Sequence, residues 1–242
     1  PARFKTYLQK LGLLEAAPIA LAERREPDLP AKWGPVETAT IAYGHGISVT
    51  PLHLLTAFTA VVNGGRYCPP TFFMLEGAPQ DRAVFSKETS AVMRRILRRV
   101  VTDGTASFAE VPGLFPIGKT GTAEKPALGG YDNDARISSF IGAFPGYAPR
   151  YAVLVSFDEP QPLKETYGYA TAGWNAAPTF AKIVERSAPI LGVAPVNEAE
   201  ALAAFVTGEF EPARESAQLE DRPHSRPARE ARLDASVRER AP

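Results

Sequence analysis

The sequence predicts an α+β protein, a mainly antiparallel sheet flanked by helices. Three observations carry this. Two stretches with apolar residues at helical spacing, after Thr50 and after Ser86, precede any strand-like run. Three strand-like runs then follow one another, 115–123, 137–144 and 151–157, and Gly146 and Pro149 mark a turn too short for a parallel crossover between the last two. A further helical pattern over 178–191 can cover the sheet. At 242 residues and 45% apolar content there is material for one sizeable core.

Taken in order, residues 3–12 read as a short helix and 16–35, rich in proline and charge, as a loop. Thr50 is a good N-cap with Pro51 at the first helical position; Leu52, Leu55, Phe58 and Val62 follow at helical spacing, and Gly64 stops the helix. Ser86 caps the next helix. Val92, Met93, Ile96, Leu97, Val100 and Val101 read as its buried stripe, and Arg94, Arg95, Arg98 and Arg99 as its solvated face. In the last helix Phe180, Ile183, Val184 and Ile190 are expected inward. Beyond Pro195 the character changes. Residues 197–208 can form an alanine-rich helix, whereas 209–242 are charged and proline-punctuated, with Leu219, Leu233 and Val237 among few large apolar side chains. The expected division is therefore a folded part over 1–195 and a disordered tail over 196–242, too poor in apolar residues to fold alone.

Composition narrows the function classes. With 27 basic and 27 acidic side chains the formal net charge is zero, so no global field favours nucleic acid or anionic lipid. The single cysteine, Cys68, excludes an internal disulfide framework. No run of about eighteen apolar residues occurs, and the first residues do not look like a signal peptide. His45, His53 and His224 have no metal-ligand spacing, so neither a metal nor another cofactor is expected.

The chemically richest stretch is 118–125, Gly-Lys-Thr-Gly-Thr-Ala-Glu-Lys, which fits two unrelated motifs. Gly113 with Gly118-Lys119-Thr120 matches a phosphate loop, and Asp158-Glu159 after 151–155 could serve as its magnesium-binding carboxylate. The residues count against this. The loop interior would be Leu114-Phe115-Pro116-Ile117, bulky where close approach to phosphate favours small residues. Gly121, Pro126, Gly129 and Gly130 also oppose a helix starting at Thr120. The alternative is Lys119-Thr120-Gly121 on a strand. Alternation then puts Lys119 with Gly121 on one face and Thr120 with Thr122 on the other. Gly121 clears the strand edge for a substrate backbone, and an ammonium among hydroxyls suits a carboxylate.

A set of blocks in fixed order favours the strand. These are residues 40–52 (Thr-Ile-Ala-Tyr-Gly-His-Gly-Ile-Ser-Val-Thr-Pro-Leu), Val62-Asn63-Gly64-Gly65, the 118–125 stretch, Ser138-Ser139-Phe140-Ile141-Gly142, Asp158-Glu159-Pro160, Tyr167-Gly168-Tyr169 and 172–178 (Ala-Gly-Trp-Asn-Ala-Ala-Pro). In this the chain, from about residue 4 to 193, resembles the C-terminal part of the transpeptidase domain of class B penicillin-binding proteins, most closely the septal type. The resemblance implies a β-lactamase/transpeptidase-like fold. It also implies a serine D,D-transpeptidase that cross-links peptidoglycan stem peptides during cell division and is the target of β-lactams. It further implies a parent with an inner-membrane anchor, a periplasmic catalytic domain and divisome membrane proteins as partners.

The family's nucleophile lies in a Ser-x-x-Lys motif followed by Ser-x-Asn, and neither pattern occurs in these 242 residues. The expectation is an N-terminally incomplete protein holding part of an active site; a noncatalytic penicillin-binding-like interaction module is the alternative. By resemblance Lys119 supports the electrostatics and Thr120 and Thr122 bind the substrate or β-lactam carboxylate. The backbone N–H of Thr122 makes half of an oxyanion hole. Tyr167 and Trp174 are candidates to line the substrate cleft, with core packing as the other reading. His45 is expected to shape its loop, and Asp158 and Glu159 to be polar strand-end residues. If Lys119 and the two threonines act together, the strand must twist or work through its edge.

Overall fold

The computed structural model describes residues 2–127 and 130–207. Helix α1 (Ala2–Lys10) comes first, and helix α2 (Pro35–Ala42) lies just past the stretch read as a loop. Helix α2 buries only Ile41, so it has no apolar stripe to announce it. Local chemistry holds it instead: Pro35 starts the helix, and Gly34 N–H donates to the Glu37 carboxylate at 2.8 Å. Helix α3 (Pro51–Val62) begins as expected, with Thr50 Oγ1 accepting from His53 N–H. His53 is buried and its Nε2 donates to Glu15 O at 2.9 Å while Thr50 N–H donates to its Nδ1, so this histidine clips the helix start to the segment after α1. A two-stranded ribbon, β1 (Arg66–Tyr67) with β2 (Arg82–Ala83), precedes helix α4 (Lys87–Thr102), which Ser86 caps through Thr89 N–H.

Helix α4 corrects one expectation. Its buried residues are Ser90, Ala91, Arg94, Leu97 and Val101, while Val92 and Ile96 are 43% and 51% exposed. The core stripe is thus rotated toward the 90–94–97–101 row. Ser90 leads it because its hydroxyl donates to Val61 O and accepts from Gly64 N–H, locking α4 to the end of α3. Arg94 and Arg98 therefore leave the solvated face assigned to them. Arg98 pairs with Glu110 at 2.6 Å and donates to Pro116 O at 3.0 Å, which fixes the entry into the next strand.

That sheet consists of β3 (Ile117–Ala127), β4 (Gly130–Phe144) and β5 (Tyr151–Asp158), antiparallel in the order β3-β4-β5. Strand β3 starts two residues later than expected, because Phe115 sits at φ 46°. Thr120 lies mid-strand and no helix opens there, so the phosphate-loop reading fails. The sheet buries both faces. On one, Phe140, Phe144 and Val155 pack against Ala177, Phe180 and Val184 of helix α5 (Ala176–Ser187); on the other, Ile117, Ile141 and Ala143 pack against Phe58, Val62 and Leu97. Gly118 and Gly142 face each other across β3 and β4. A Cβ on Gly118 would stand 2.4 Å from the Phe140 ring, and one on Gly142 2.8 Å from Phe180, so their bareness lets the two rings meet edge to face.

In α5 the expectation holds for Phe180 and Val184. It fails for Ile183 and Ile190, which are exposed; α5 ends at Ser187, before Ile190 can complete the stripe. Helix α6 (Glu198–Thr207) falls within the expected alanine-rich helix, and Phe205 packs back on the α3–α4 core. The packed body thus runs past the division drawn at Pro195. The tail expected beyond it lies, from residue 208 on, outside the described residues. No helix among the described residues is long and apolar enough to cross a membrane.

Candidate active site

Strand β3 pairs with β4 on one side, and among the described residues nothing pairs with its other edge. Lys119 to Thr122 lie along that open edge. Lys119 and Gly121 stand opposite Ile141 and Ser139, and Thr120 and Thr122 opposite Phe140 and Ser138. Cross-strand partners share a face. The lysine therefore leaves the strand toward α3 and α4, and the threonines leave it toward α5, as alternation requires. The ammonium does not stay on its own side: Lys119 Nζ donates to Thr120 O at 2.8 Å and to Thr120 Oγ1 at 3.3 Å. It comes round the open edge to join the hydroxyls. No carboxylate pairs with it among the described residues. At Gly121 a Cβ would meet only Ser139 O, at 3.9 Å, so the strand beside the ammonium is clear.

Thr120 and Thr122 line a cleft of about 460 Å³. Gly104, Thr105, Ser107 and Phe108, from the end of α4 and the short 3-10 turn Ser107–Ala109, form a second wall, and 171–174 form the third. Thr105 Oγ1 lies 2.8 Å from Thr120 Oγ1 across the floor. Ala172 N–H donates to Thr122 Oγ1 at 3.5 Å, and Gly173 comes so near that a Cβ would stand 2.4 Å from Thr105 O. Behind the cleft, the fully buried Ser138 donates to Asn175 Oδ1 at 2.5 Å. That oxygen also accepts from Ala176 N–H at 2.6 Å, while Asn175 Nδ2 donates to Ala170 O at 3.0 Å. One amide thus ties β4, the start of α5 and the third wall together.

Of the sequence-predicted residues, Thr120, Thr122 and Trp174 line this cleft, whereas Lys119 and Gly121 lie beside it on β3 and are not among its lining residues. The Lys119 ammonium reaches it only through its contacts with Thr120. Trp174 is half-buried and packs against Phe108 at 5.1 Å and, nearly parallel, Tyr169 at 5.4 Å. Tyr167 is one ring removed: it touches Trp174 edge-on at 5.7 Å, is 79% exposed and does not line the cleft. Its φ of 52° is a conformation a tyrosine rarely adopts. Thr105, Phe108 and Thr171 were not singled out from sequence, because no local pattern tells that the turn after α4 meets β3. His45 packs edge-on against Tyr43 at 5.5 Å, away from the cleft lining. Asp158 and Glu159 both pair with Lys125, each at 2.7 Å, and so close the far end of the strands. The two carboxylates are the main reason the Lys125 ammonium is held above its ordinary pKa. Among the described residues no three His, Cys, Asp or Glu side chains gather as metal ligands would.

The chain is similar to known proteins over most of its length. The family profile of the penicillin binding protein transpeptidase domain matches residues 1–185. The probable peptidoglycan D,D-transpeptidase FtsI of Caulobacter vibrioides is 40% identical over 202 residues, 79% of this chain and 34% of that protein. Stage V sporulation protein D of Bacillus subtilis is 38% identical over 174 residues, 67% of this chain and 26% of its own length. Among solved structures, the transpeptidase domain of penicillin-binding protein 3 from Burkholderia pseudomallei superposes with a TM-score of 0.72 at 34% identity, covering 80% of this chain and 58% of that one. Penicillin-binding protein 3 of Mycobacterium tuberculosis, solved with ampicillin, gives 0.73 at 27% identity over 82% of this chain and 47% of its own. The chain thus spans about a third of the length of the curated relatives it matches.

Proposed function

This chain belongs to the penicillin-binding protein transpeptidase domain family, and on that premise we propose that it is the part of a peptidoglycan D,D-transpeptidase that binds the substrate carboxylate and the developing oxyanion. The carrying observation is the open edge of β3, where an ammonium with no carboxylate partner among the described residues donates to Thr120, a residue that lines the cleft. In the reaction a serine hydroxyl, from a segment outside this sequence, attacks the penultimate D-Ala carbonyl of a stem peptide. The terminal D-Ala leaves as the amine, and an amino group of a neighbouring strand then takes the acyl group from the serine. A β-lactam stops at the first step as a stable acyl-enzyme.

Each residue has a derived part. Lys119 stabilises negative charge as the carbonyl oxygen becomes an alkoxide. The hydroxyls of Thr120 and Thr122 donate to the carboxylate of D-Ala or of the β-lactam. Thr120 O is reached by Lys119 and so faces the open edge. Backbone groups two residues on face the same way in a strand, which aims Thr122 N–H at the place for the oxyanion. Gly121 admits the peptide along the edge, and Trp174 bounds the cleft beside it. A role in cell division is part of this proposal. A membrane-anchored parent, a periplasmic site and divisome contacts belong to the same proposal.

A second reading rests on one observation, the lack of Ser-x-x-Lys in this sequence: a noncatalytic module that keeps the fold for protein contacts. The full-length parent decides. Incubated with fluorescent penicillin and digested, it is expected to carry label on one serine upstream of this chain. A folded parent that takes no label favours the noncatalytic reading.

A further inference from the structure

Thr105 sits where nothing in the strand motif would place a functional group, yet its hydroxyl is 2.8 Å from that of Thr120 on the cleft floor. Its backbone is held from both sides. Ala106, next in the chain, is fully buried and donates to Val100 O at 3.1 Å, and Gly173 leaves room for Thr105 O where a Cβ would stand 2.4 Å away. The hydroxyl is therefore presented by a fixed loop although the residue is exposed.

The hydrogen-bond inventory at Thr120 Oγ1 gives this contact a direction. Lys119 Nζ can only donate, so Thr120 Oγ1 accepts from it. A hydroxyl oxygen has one proton to give and a second lone pair to fill. When Thr120 gives its proton to a carboxylate in the cleft, Thr105 O–H can fill that remaining lone pair. All bonding capacity at Thr120 is then used. Two donors on one oxygen also polarise its O–H, which strengthens the bond to the anion. Without Thr105, Thr120 can turn its hydroxyl toward other rotamers and its second lone pair is left to water.

On the reading that Thr120 binds the substrate carboxylate, we propose that Thr105 is a positioning residue for carboxylate recognition: its hydroxyl orients and polarises that of Thr120. The test is saturation kinetics of acylation by penicillin in the full-length parent. Thr105→Val keeps the shape and removes the hydroxyl. It is expected to raise the penicillin concentration at half-saturation about fivefold, the size of one neutral hydrogen bond, with the limiting acylation rate nearly unchanged. Thr105→Ser is expected to restore half-saturation, which a merely structural threonine would not require. Half-saturation unchanged in Thr105→Val, or not restored by Thr105→Ser, overturns the inference and leaves the transpeptidase reading standing. A parent that penicillin does not label at all overturns both.

Discussion

Two lysines on one strand show how the same side chain comes to do different work. Lys119 and Lys125 both lie on β3, six positions apart. Lys125 stands past a break in register between Glu124 and Lys125, next to the end of β5, and pairs with Asp158 and Glu159. Lys119 stands where β3 is regular and its outer edge open, and among the described residues its ammonium hydrogen-bonds only the carbonyl and hydroxyl of Thr120. One positive charge is neutralised by the protein; the other is presented by neutral oxygens. Neutral oxygens orient an ammonium without cancelling its charge, and that is what an anionic ligand needs. The difference comes from the ends of neighbouring strands, not from the lysines.

The largest expected effect tests this directly. Lys119→Ala in the full-length parent is expected to slow acylation by penicillin on the order of 100-fold, as removal of one preorganised charge-stabilising donor does. Its melting temperature should barely move, because the side chain is exposed and away from both cores. Equal labelling rates for the variant and the parent would remove Lys119 from the chemistry. Gly121→Glu makes the comparison sharper by turning Lys119 into a second Lys125. The strand position has space for a side chain and lies on the lysine's own face. The new carboxylate is expected to pair with the ammonium and slow acylation about tenfold, roughly 1.4 kcal/mol. Gly121→Gln, similar in size but uncharged, should fall between Gly121→Glu and the parent; if it matches the glutamate variant, bulk rather than charge is responsible.

Much of this contrast was legible in the sequence, and the limits have physical causes. Alternation along β3 predicted which face Lys119 and Gly121 share, and the observed register agrees. It also posed the difficulty that the lysine faces away from the threonines. A long flexible side chain resolves it by coming round an edge that no second strand covers, and whether an edge is covered is a tertiary fact. Thr105 and Phe108 were illegible for the same reason, since their place depends on how the turn after α4 meets β3. Arg94 and Arg98 of α4 were misread because the apolar stripe was phased on Val92 and Ile96, while Arg95 and Arg99 are exposed as expected. A serine bridging to α3 sets the real phase, and a small polar residue carries no hydropathy signal. Helix α2 rests on Pro35 at its first position and on the Glu37 carboxylate accepting from Gly34 N–H, with no side-chain cap at the glycine, which pattern reading passes over.

The smallest effect belongs to the other lysine. Lys125→Met removes the ion pairs with Asp158 and Glu159 and touches nothing in the cleft, so labelling by penicillin is expected to match the parent while the melting temperature falls slightly. pH gives this loss a signature. The two carboxylates hold the Lys125 ammonium above its ordinary pKa of 10.5. A group whose pKa is raised by folding stabilises fully below its unfolded value, and that contribution is lost as pH rises through the folded value. The stability gap between parent and Lys125→Met should therefore be constant from neutral pH up to the ordinary lysine range and close only above it. A gap that stays open in strong alkali would mean that the methylenes, not the charge, hold this end of the strand. A fall in labelling would mean that the two lysines are not as separate as their surroundings make them.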